Sequence, residues 1–390
     1  MTNYNLLTDL IREQGMDYKW AKMFVKKLSD DEKAFQLTDK EKEWALKRGF
    51  FPGRIKLYGL TEDNYHYYLP DWNYFMLHPL NHHFKIWVND KLTLKYVLNS
   101  NGCQDSMPEY YLYVENNGNY TYLMDAPSHI SKDKNFIFNL LKEKGRLALK
   151  PNSGTSGGLG FIKLELQNGE LIENNKPIGM ERFEHIIANL PNYIITEYVP
   201  QHNKLAKIWH DSECTLRVIM CKNPNQIFSS PSNWSCIVSF ARFGSSISGG
   251  ASNLSSGGIG IGFDYETGKF HNFSVRYKKF CPDGKTILYK HPDTNVTWEN
   301  ESLPNWSYAK EMIENICSHI SSLSYLGLDI IITNDGIKLC EINTHPACDY
   351  AQIMCGPVLA KPQAKNFFES KGLQLFSGND FYNAYLKSQE

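Results

Sequence analysis

Asp329, Glu341 and Asn343 are hard oxygen donors on two apolar, strand-like segments joined by the polar turn Asn334-Asp335-Gly336. Two carboxylates and an amide held on rigid strands suit Mg²⁺ that bridges ATP phosphates. Far upstream, Lys150-Pro151 runs into Asn152-Ser153-Gly154-Thr155-Ser156-Gly157-Gly158-Leu159-Gly160. Glycine lets backbone N–H groups converge on an anion, and Lys150 adds a point charge beside it. The pair reads as one nucleotide site split over two lobes of an ATP-using enzyme.

The glycine run lacks the Gly-Lys-Ser/Thr ending of a Walker A loop and lies between two strand-like stretches, whereas a Walker A loop opens a helix. A phosphate cradle and a surface hairpin loop both fit it. Glu197-Tyr198-Val199 ends an apolar strand, where a strand-to-loop transition offers adenine an acceptor for its amino group and a backbone N–H for a ring nitrogen. Arg217 and Arg242 each sit mid-strand, and a buried arginine needs an anionic partner. That partner is either a structural carboxylate or a transferring phosphate or oxyanion. Asn253, Gly257 and Gly258, in the run Ser252 to Gly262, are placed to close over the acceptor end.

The carboxylate hairpin admits a geometric test. Directly opposed side chains in an antiparallel pair share a face, as do alternate residues along a strand. For Asp329 to oppose Glu341 the turn must hold an odd number of residues, which suits a three-residue Asn334-Asp335-Gly336 loop with glycine left-handed. Glu341 and Asn343 share a face in either register.

The elements that must position these groups follow from pattern. Residues 1 to about 50 read as helices, with capping-box spacings at Ser29/Glu32 and Thr38/Glu41 and with Gly49 as a terminator. The stretch from Phe50 to Val88 is crowded with aromatics, and core packing or a sugar-binding face accounts for that. His78, His82 and His83 lack supporting Cys or carboxylate spacing for a metal. Asn89-Asp90-Lys91 opens a short helix. Strands are expected from Arg146 onward, with a tight turn at Asn168-Gly169, further strands over 193–199, 214–222 and 236–243, and a helix over 306–325 closed at Gly327. The 390-residue chain suggests two or three modules, and 42% hydrophobic residues with a net charge of −1 give no case for nucleic acid or an anionic membrane. No apolar run approaches the roughly 20 residues of a membrane span, and the start has no signal-peptide pattern. Nine cysteines, odd in number and without a CxxC pair, fit reduced thiols in a cytoplasmic enzyme.

In this order the pieces resemble the ATP-grasp superfamily of carboxylate–amine ligases, and most of all its sugar-transfer-associated branch. The residues carrying the resemblance run from Asn89-Asp90-Lys91 through Lys150-Pro151, Thr196 to Val199, Gln201-His202, Thr215 to Arg217 and Arg242 to Gly244. They end with Asn253, Gly257-Gly258, Asp329 and Glu341 to Pro346, so coverage runs from about 85 to 356. The resemblance implies that Lys91 and Lys150, with the loop Ser153 to Gly158, bind ATP phosphates. It also implies that Glu197, Tyr198 and Val199 hold adenine and that Asp329, Glu341 and Asn343 hold Mg²⁺. The family's peptide ligases carry an arginine two residues before the first metal carboxylate; Gly327 stands there, so that role passes to Arg217 or Arg242. No acidic residue follows the hinge to take the ribose, and His345 replaces a small residue after Asn343-Thr344.

The expectation is therefore an α/β (α+β) ATP-grasp fold with three parts. These are a helical, aromatic-rich region over 1–88, a small lobe over 89–199 and a large lobe over 200–390. The expected activity is Mg·ATP-dependent ligation of a carboxylate to an amine through an acyl phosphate, on a sugar or glycan precursor of cell-surface polysaccharide. His202, Asn253, Gly257, Gly258 and His345 are the expected substrate contacts. A phosphotransferase and a non-catalytic glycan-binding scaffold remain as alternatives.

Overall fold

The computed structural model describes residues 2–81, 83–99, 102–154, 159–225, 230–248, 251–276, 285–320 and 322–390. The chain opens with helices α1 (Tyr4–Glu13), α2 (Tyr18–Ala34) and α3 (Asp39–Lys47). Thr38 forms the expected capping box with Glu41, whose carboxylate accepts the Thr38 N–H at 2.7 Å, and Gly49, just past the end of α3, has a φ of +79°. Ser29 is not a cap. Trp20, Phe24 and Leu28 keep one buried stripe running through α2, and that packing overrides the local capping pattern.

Helices α4 (Asp71–Met76), α5 (Ile86–Asn89) and α6 (Lys91–Leu98) follow. The aromatics between Phe50 and Val88 are largely core. Trp72 is 1% exposed, and its ring stacks on Phe381 at 5.4 Å. One apolar cluster joins the N-terminal region to α11 (Asp349–Cys355), α12 (Pro362–Ser370) and α13 (Gly378–Lys387). The two ends of the chain thus build one helical layer. His78 is buried, with Nδ1 2.6 Å from the Tyr74 carbonyl; His82 lies outside the described residues. Among the described residues no three His, Cys, Asp or Glu side chains converge as a metal cluster.

A buried ion-pair network fastens this layer. Arg54 Nη2 reaches Asp71 at 2.8 Å and Asp349 at 3.4 Å, and Lys27 reaches Asp349 at 3.2 Å. Burial pushes the Asp349 carboxyl up, but Lys27 and Arg54 outweigh that and hold it well below the usual carboxylate range. Because the folded value lies below the unfolded one, Asp349 supplies stability above roughly pH 3.9 that is lost as pH falls toward the folded value. Asp349→Asn is expected to flatten the melting-temperature profile between about pH 5 and pH 2. An unchanged slope there would show that the network is not what titrates.

The first sheet has the order β2-β1-β7-β3-β4-β5-β6. Its strands are β1 (Tyr110–Val114), β2 (Tyr120–Tyr122), β3 (Arg146–Pro151), β4 (Ile162–Gln167), β5 (Glu170–Glu173), β6 (Lys176–Ile178) and β7 (Tyr193–Glu197). Helices α7 (Phe136–Lys144) and α8 (Met180–Ala188) cover one face, where Leu147 and Leu149 of β3 are buried. Alternation puts Ala148 and Lys150 on the other face. Asn168 and Gly169 turn β4 into β5 with φ of 51° and 84°, the two-residue hairpin their types predict.

The second sheet has the order β12-β11-β10-β9-β8-β13-β14. Its strands are β8 (Thr215–Lys222), β9 (Trp234–Phe243), β10 (Ile259–Phe263), β11 (Phe270–Arg276), β12 (Thr286–Leu288), β13 (Tyr325–Ile332) and β14 (Ile337–Asn343). Leu326, Leu328, Ile330 and Ile332 face α10 (Trp306–His319) in the core, so Tyr325, Gly327 and Asp329 take the face toward the helical layer. Gly327 does not close the preceding helix, which ends at His319; it lies inside β13. A Cβ there would stand 2.5 Å from Pro346 Cβ, so the close approach of the Pro346 loop requires glycine.

Candidate active site

Asp329 and Glu341 are cross-strand partners, as the sequence suggested, but by a different route. Ile332 pairs with Ile337 across an even, four-residue turn, and the register shifts between Asp329 and Ile330 so that Asp329 meets Glu341. Cys340 is the extra residue on β14, a β-bulge that re-aims the carboxylate after it. Gly336, with a φ of +153°, is not in the left-handed helical position expected of a three-residue loop. The turn closes through the Thr333 N–H to the Gly336 carbonyl at 2.9 Å.

Asp329 is also opposite Arg217 in the β13–β8 ladder. Arg217 grips both carboxylate oxygens, through Nε and through Nη2 at 2.8 Å. Arg242 Nη2 adds a third contact at 3.1 Å. Burial pushes Asp329 up, but Arg217 and Arg242 outweigh it and hold the carboxyl well below its ordinary range. Glu341 behaves oppositely: burial, then the Asp329 charge, raise it, with Lys91 pulling the other way. Two facing carboxylates of which one resists ionising form a site that gains from a further cation. With Asn343 Nδ2 3.2 Å from Glu341 Oε1, the donor set is two carboxylates and an amide. That fits Mg²⁺, which takes one or two protein carboxylates and completes its shell with phosphates and water.

Two lysines, one on α6 and one on the first sheet, lie toward this hairpin. Lys91, the first residue of α6, stands 3.8 Å from Glu341 Oε2. Burial depresses Lys150 on β3, with Cys340 raising it, Lys91 lowering it and Glu341 raising it, and two residues past Lys150 the Asn152 carbonyl accepts the Lys91 N–H at 3.2 Å. Ser153 and Gly154 follow at the end of β3, Gly154 with a φ of +80°. Thr155, Ser156, Gly157 and Gly158 lie outside the described residues. The strand–loop–strand arrangement holds, since β3 and β4 pair on either side of it.

Glu197 ends β7 and its carboxylate accepts the Glu109 N–H at 3.1 Å. Tyr198 bonds its hydroxyl to Glu213, and Val199 is buried. Glu213 was missed by sequence reasoning, because one acid before a strand carries no periodic signal; burial raises its pKa. His202 spends its Nδ1 on the Lys204 N–H at 2.9 Å, capping the short helix α9 (Asn203–Ala206). Its imidazole therefore has a local structural partner.

Beside the residues expected to contact substrate, Thr215 Oγ1 lies 3.1 Å from Ser252 Oγ, and the Asn253 carbonyl accepts the Gly258 N–H at 3.1 Å. Gly257 has a φ of +107°. A Cβ on Gly258 would stand 2.7 Å from the Ser252 carbonyl. These residues lead into β10, where Gly260 pairs with Arg242. His345 packs on Trp20 at 4.8 Å and His78 at 5.4 Å between ring centroids. Burial and the Lys85 and Lys19 charges lower it to about 4. No helix among the described residues is long and apolar enough to cross a membrane, and the eight described cysteines are free.

Two antiparallel sheets that bring lysines and carboxylates together define the ATP-grasp architecture. The model of the family described as sugar-transfer associated ATP-grasp matches residues 77–367, and the chain belongs to that family. No curated protein sequence matches the chain. Among solved structures it is similar to the ATP-grasp ligase PsnB complexed with a phosphomimetic variant of minimal precursor, Mg and ADP. The identity is 12%, over 74% of this chain and 60% of PsnB, with a TM-score of 0.38. It is also similar to D-alanyl-alanine synthetase A from Vibrio cholerae O1 biovar eltor, at 13% identity over 78% and 67% of the two chains and a TM-score of 0.38. An ADP complex of purK, N5-carboxyaminoimidazole ribonucleotide synthetase, matches at 12% identity over 67% and 46%, with a TM-score of 0.35. The chain thus spans less than two thirds of the length of PsnB, and the family match alone carries the assignment.

Proposed function

We propose that this chain is an Mg·ATP-dependent ligase that activates a carboxylate as an acyl phosphate for attack by an amine. The observation that carries the reading is Lys91 at 3.8 Å from Glu341, the cross-strand partner of Asp329, with the Lys150 strand tied to Lys91 through Asn152 and two arginines behind Asp329. In this reading Lys91, Lys150 and the loop from Ser153 hold the phosphates, and Glu197 to Val199 flank the adenine. Asp329, Glu341 and Asn343 hold the metal, which when bound offsets phosphate charge. Arg217 and Arg242 face the charge that develops as the γ-phosphoryl group passes to the carboxylate and as the amine displaces phosphate. Asn253, Gly257, Gly258 and His345 border the acceptor.

The family's description supports a substrate tied to sugar transfer, so we assign the acceptor to a sugar or glycan precursor of cell-surface polysaccharide. The need for ATP and the free thiols support a cytoplasmic setting. The test is a mass-spectrometric screen of amino acids and aminosugars with Mg·ATP. ADP, inorganic phosphate and a condensed product are expected together. ADP with a stable phosphorylated acceptor would make the protein a phosphotransferase instead, and no ATP turnover with any acceptor would favour a binding scaffold.

The phosphate assignment makes its own prediction. Lys150→Ala is expected to weaken Mg·AMP-PNP binding about 10- to 100-fold in calorimetry, the loss of a charge-assisted hydrogen bond of about 1.5–3 kcal/mol. Unchanged affinity would return the loop to a surface hairpin.

A further inference from the structure

Asn152, the second residue past Lys150, is 5% exposed, and each of its polar groups is engaged. Its backbone N–H donates to the Asn192 carbonyl at 2.9 Å, and its own carbonyl accepts the Lys91 N–H at 3.2 Å. Its side-chain Oδ1 accepts the Leu92 N–H at 2.9 Å, and its Nδ2 donates to Asp90 Oδ2 at 2.5 Å. The other Asp90 oxygen accepts the Thr93 N–H at 2.7 Å as the helix cap.

The first N–H groups of a helix have no partner inside it. In α6 those of Lys91 and Leu92 are taken by the base of the glycine loop, some 60 residues away in sequence. The neighbouring Asn89 accepts the Thr344 hydroxyl at 3.0 Å, and Thr344 Oγ1 lies 2.9 Å from His345 Nδ1. Residues 89–92 therefore join the loop of the first sheet to the carboxylate hairpin of the second. The main chain at Lys91 cannot shift relative to Lys150 without breaking the Asn152 bonds.

We propose that Asn152 is a positioning residue that holds Lys91 and Lys150 at one spacing, so that the two ammonium groups act as a single clamp on one polyphosphate. This rests on the nucleotide reading given above. The carboxamide bonds the Leu92 N–H and Asp90, so it acts on Lys91 through the main chain. A purely structural role would lower stability without regard to Lys91, whereas a positioning role makes the two residues interdependent in binding.

A double-mutant cycle separates these. Mg·AMP-PNP affinity is measured by calorimetry for the unaltered chain, Asn152→Ala, Lys91→Ala and the double variant, with thermal melting alongside. Asn152→Ala is expected to weaken binding about tenfold, and in the Lys91→Ala background by less than about threefold. Asp90→Asn serves as the second variant. It keeps an oxygen for the Thr93 cap and sets an amide N–H₂ against the Asn152 N–H₂, so it breaks the same link even if Asn152→Ala fails to fold. It should show the same dependence on Lys91. Equal losses in both backgrounds, or full affinity in the single variants, would overturn the positioning role while leaving the nucleotide site standing. No binding by the unaltered chain would overturn both.

Discussion

Glu341→Gln is expected to lower kcat about 10³-fold, because a metal ligand's charge supplies several kcal/mol at the transition state and each 1.36 kcal/mol is tenfold. The change removes a charge and almost no volume. Its effect on folding should be small or favourable, because burial and Asp329 already push the Glu341 carboxyl toward its neutral form. The melting temperature should therefore hold while turnover disappears. Near-normal kcat would sink the metal assignment, and a large loss of melting temperature would show that the Lys91 contact at 3.8 Å is structural.

Arg217→Lys is expected to lose about 10²-fold in kcat with little change in Mg·AMP-PNP affinity, the scale of removing one oxyanion donor. Arginine reaches both oxygens of Asp329 with a planar fork, and lysine offers a single point charge. The same change at Arg242 should fall more on the KM of the acceptor, since Arg242 pairs with Gly260 and Thr215, beside Ser252 to Gly258. The arginines also hold Asp329 ionised, so binding and kcat must be read separately. A normal kcat in a folded Arg217→Lys protein would reduce the contact to an ion pair.

The candidate site residues were legible because type and order carry them. Lys150 before a glycine run, and Asp329 twelve residues before Glu341, show up without knowledge of the fold. Strand-pairing details were less accessible. Facing of Asp329 and Glu341 could be required of the hairpin, but the bulge at Cys340 that achieves it leaves no alternation signal. Ser29 and Gly327 misled for one reason: tertiary packing, on α2 in one case and against Pro346 in the other, overrode a local terminator or cap pattern. The joining of the N-terminal helices to α12 and α13 in one core depends on contacts spanning most of the chain, which no local window contains. Asn152 and Glu213 were passed over because a single amide or acid gains meaning only from what the fold sets against it.

The central claim is that Mg·ATP sits between the Lys150 strand and the carboxylate hairpin. Hydrogen–deuterium exchange with and without Mg·AMP-PNP tests it most directly. Slowed exchange is expected in three segments far apart in sequence: the first turn of α6, 146–154 and 337–343. Protection confined to one of these segments, or found only elsewhere in the chain, would contradict it.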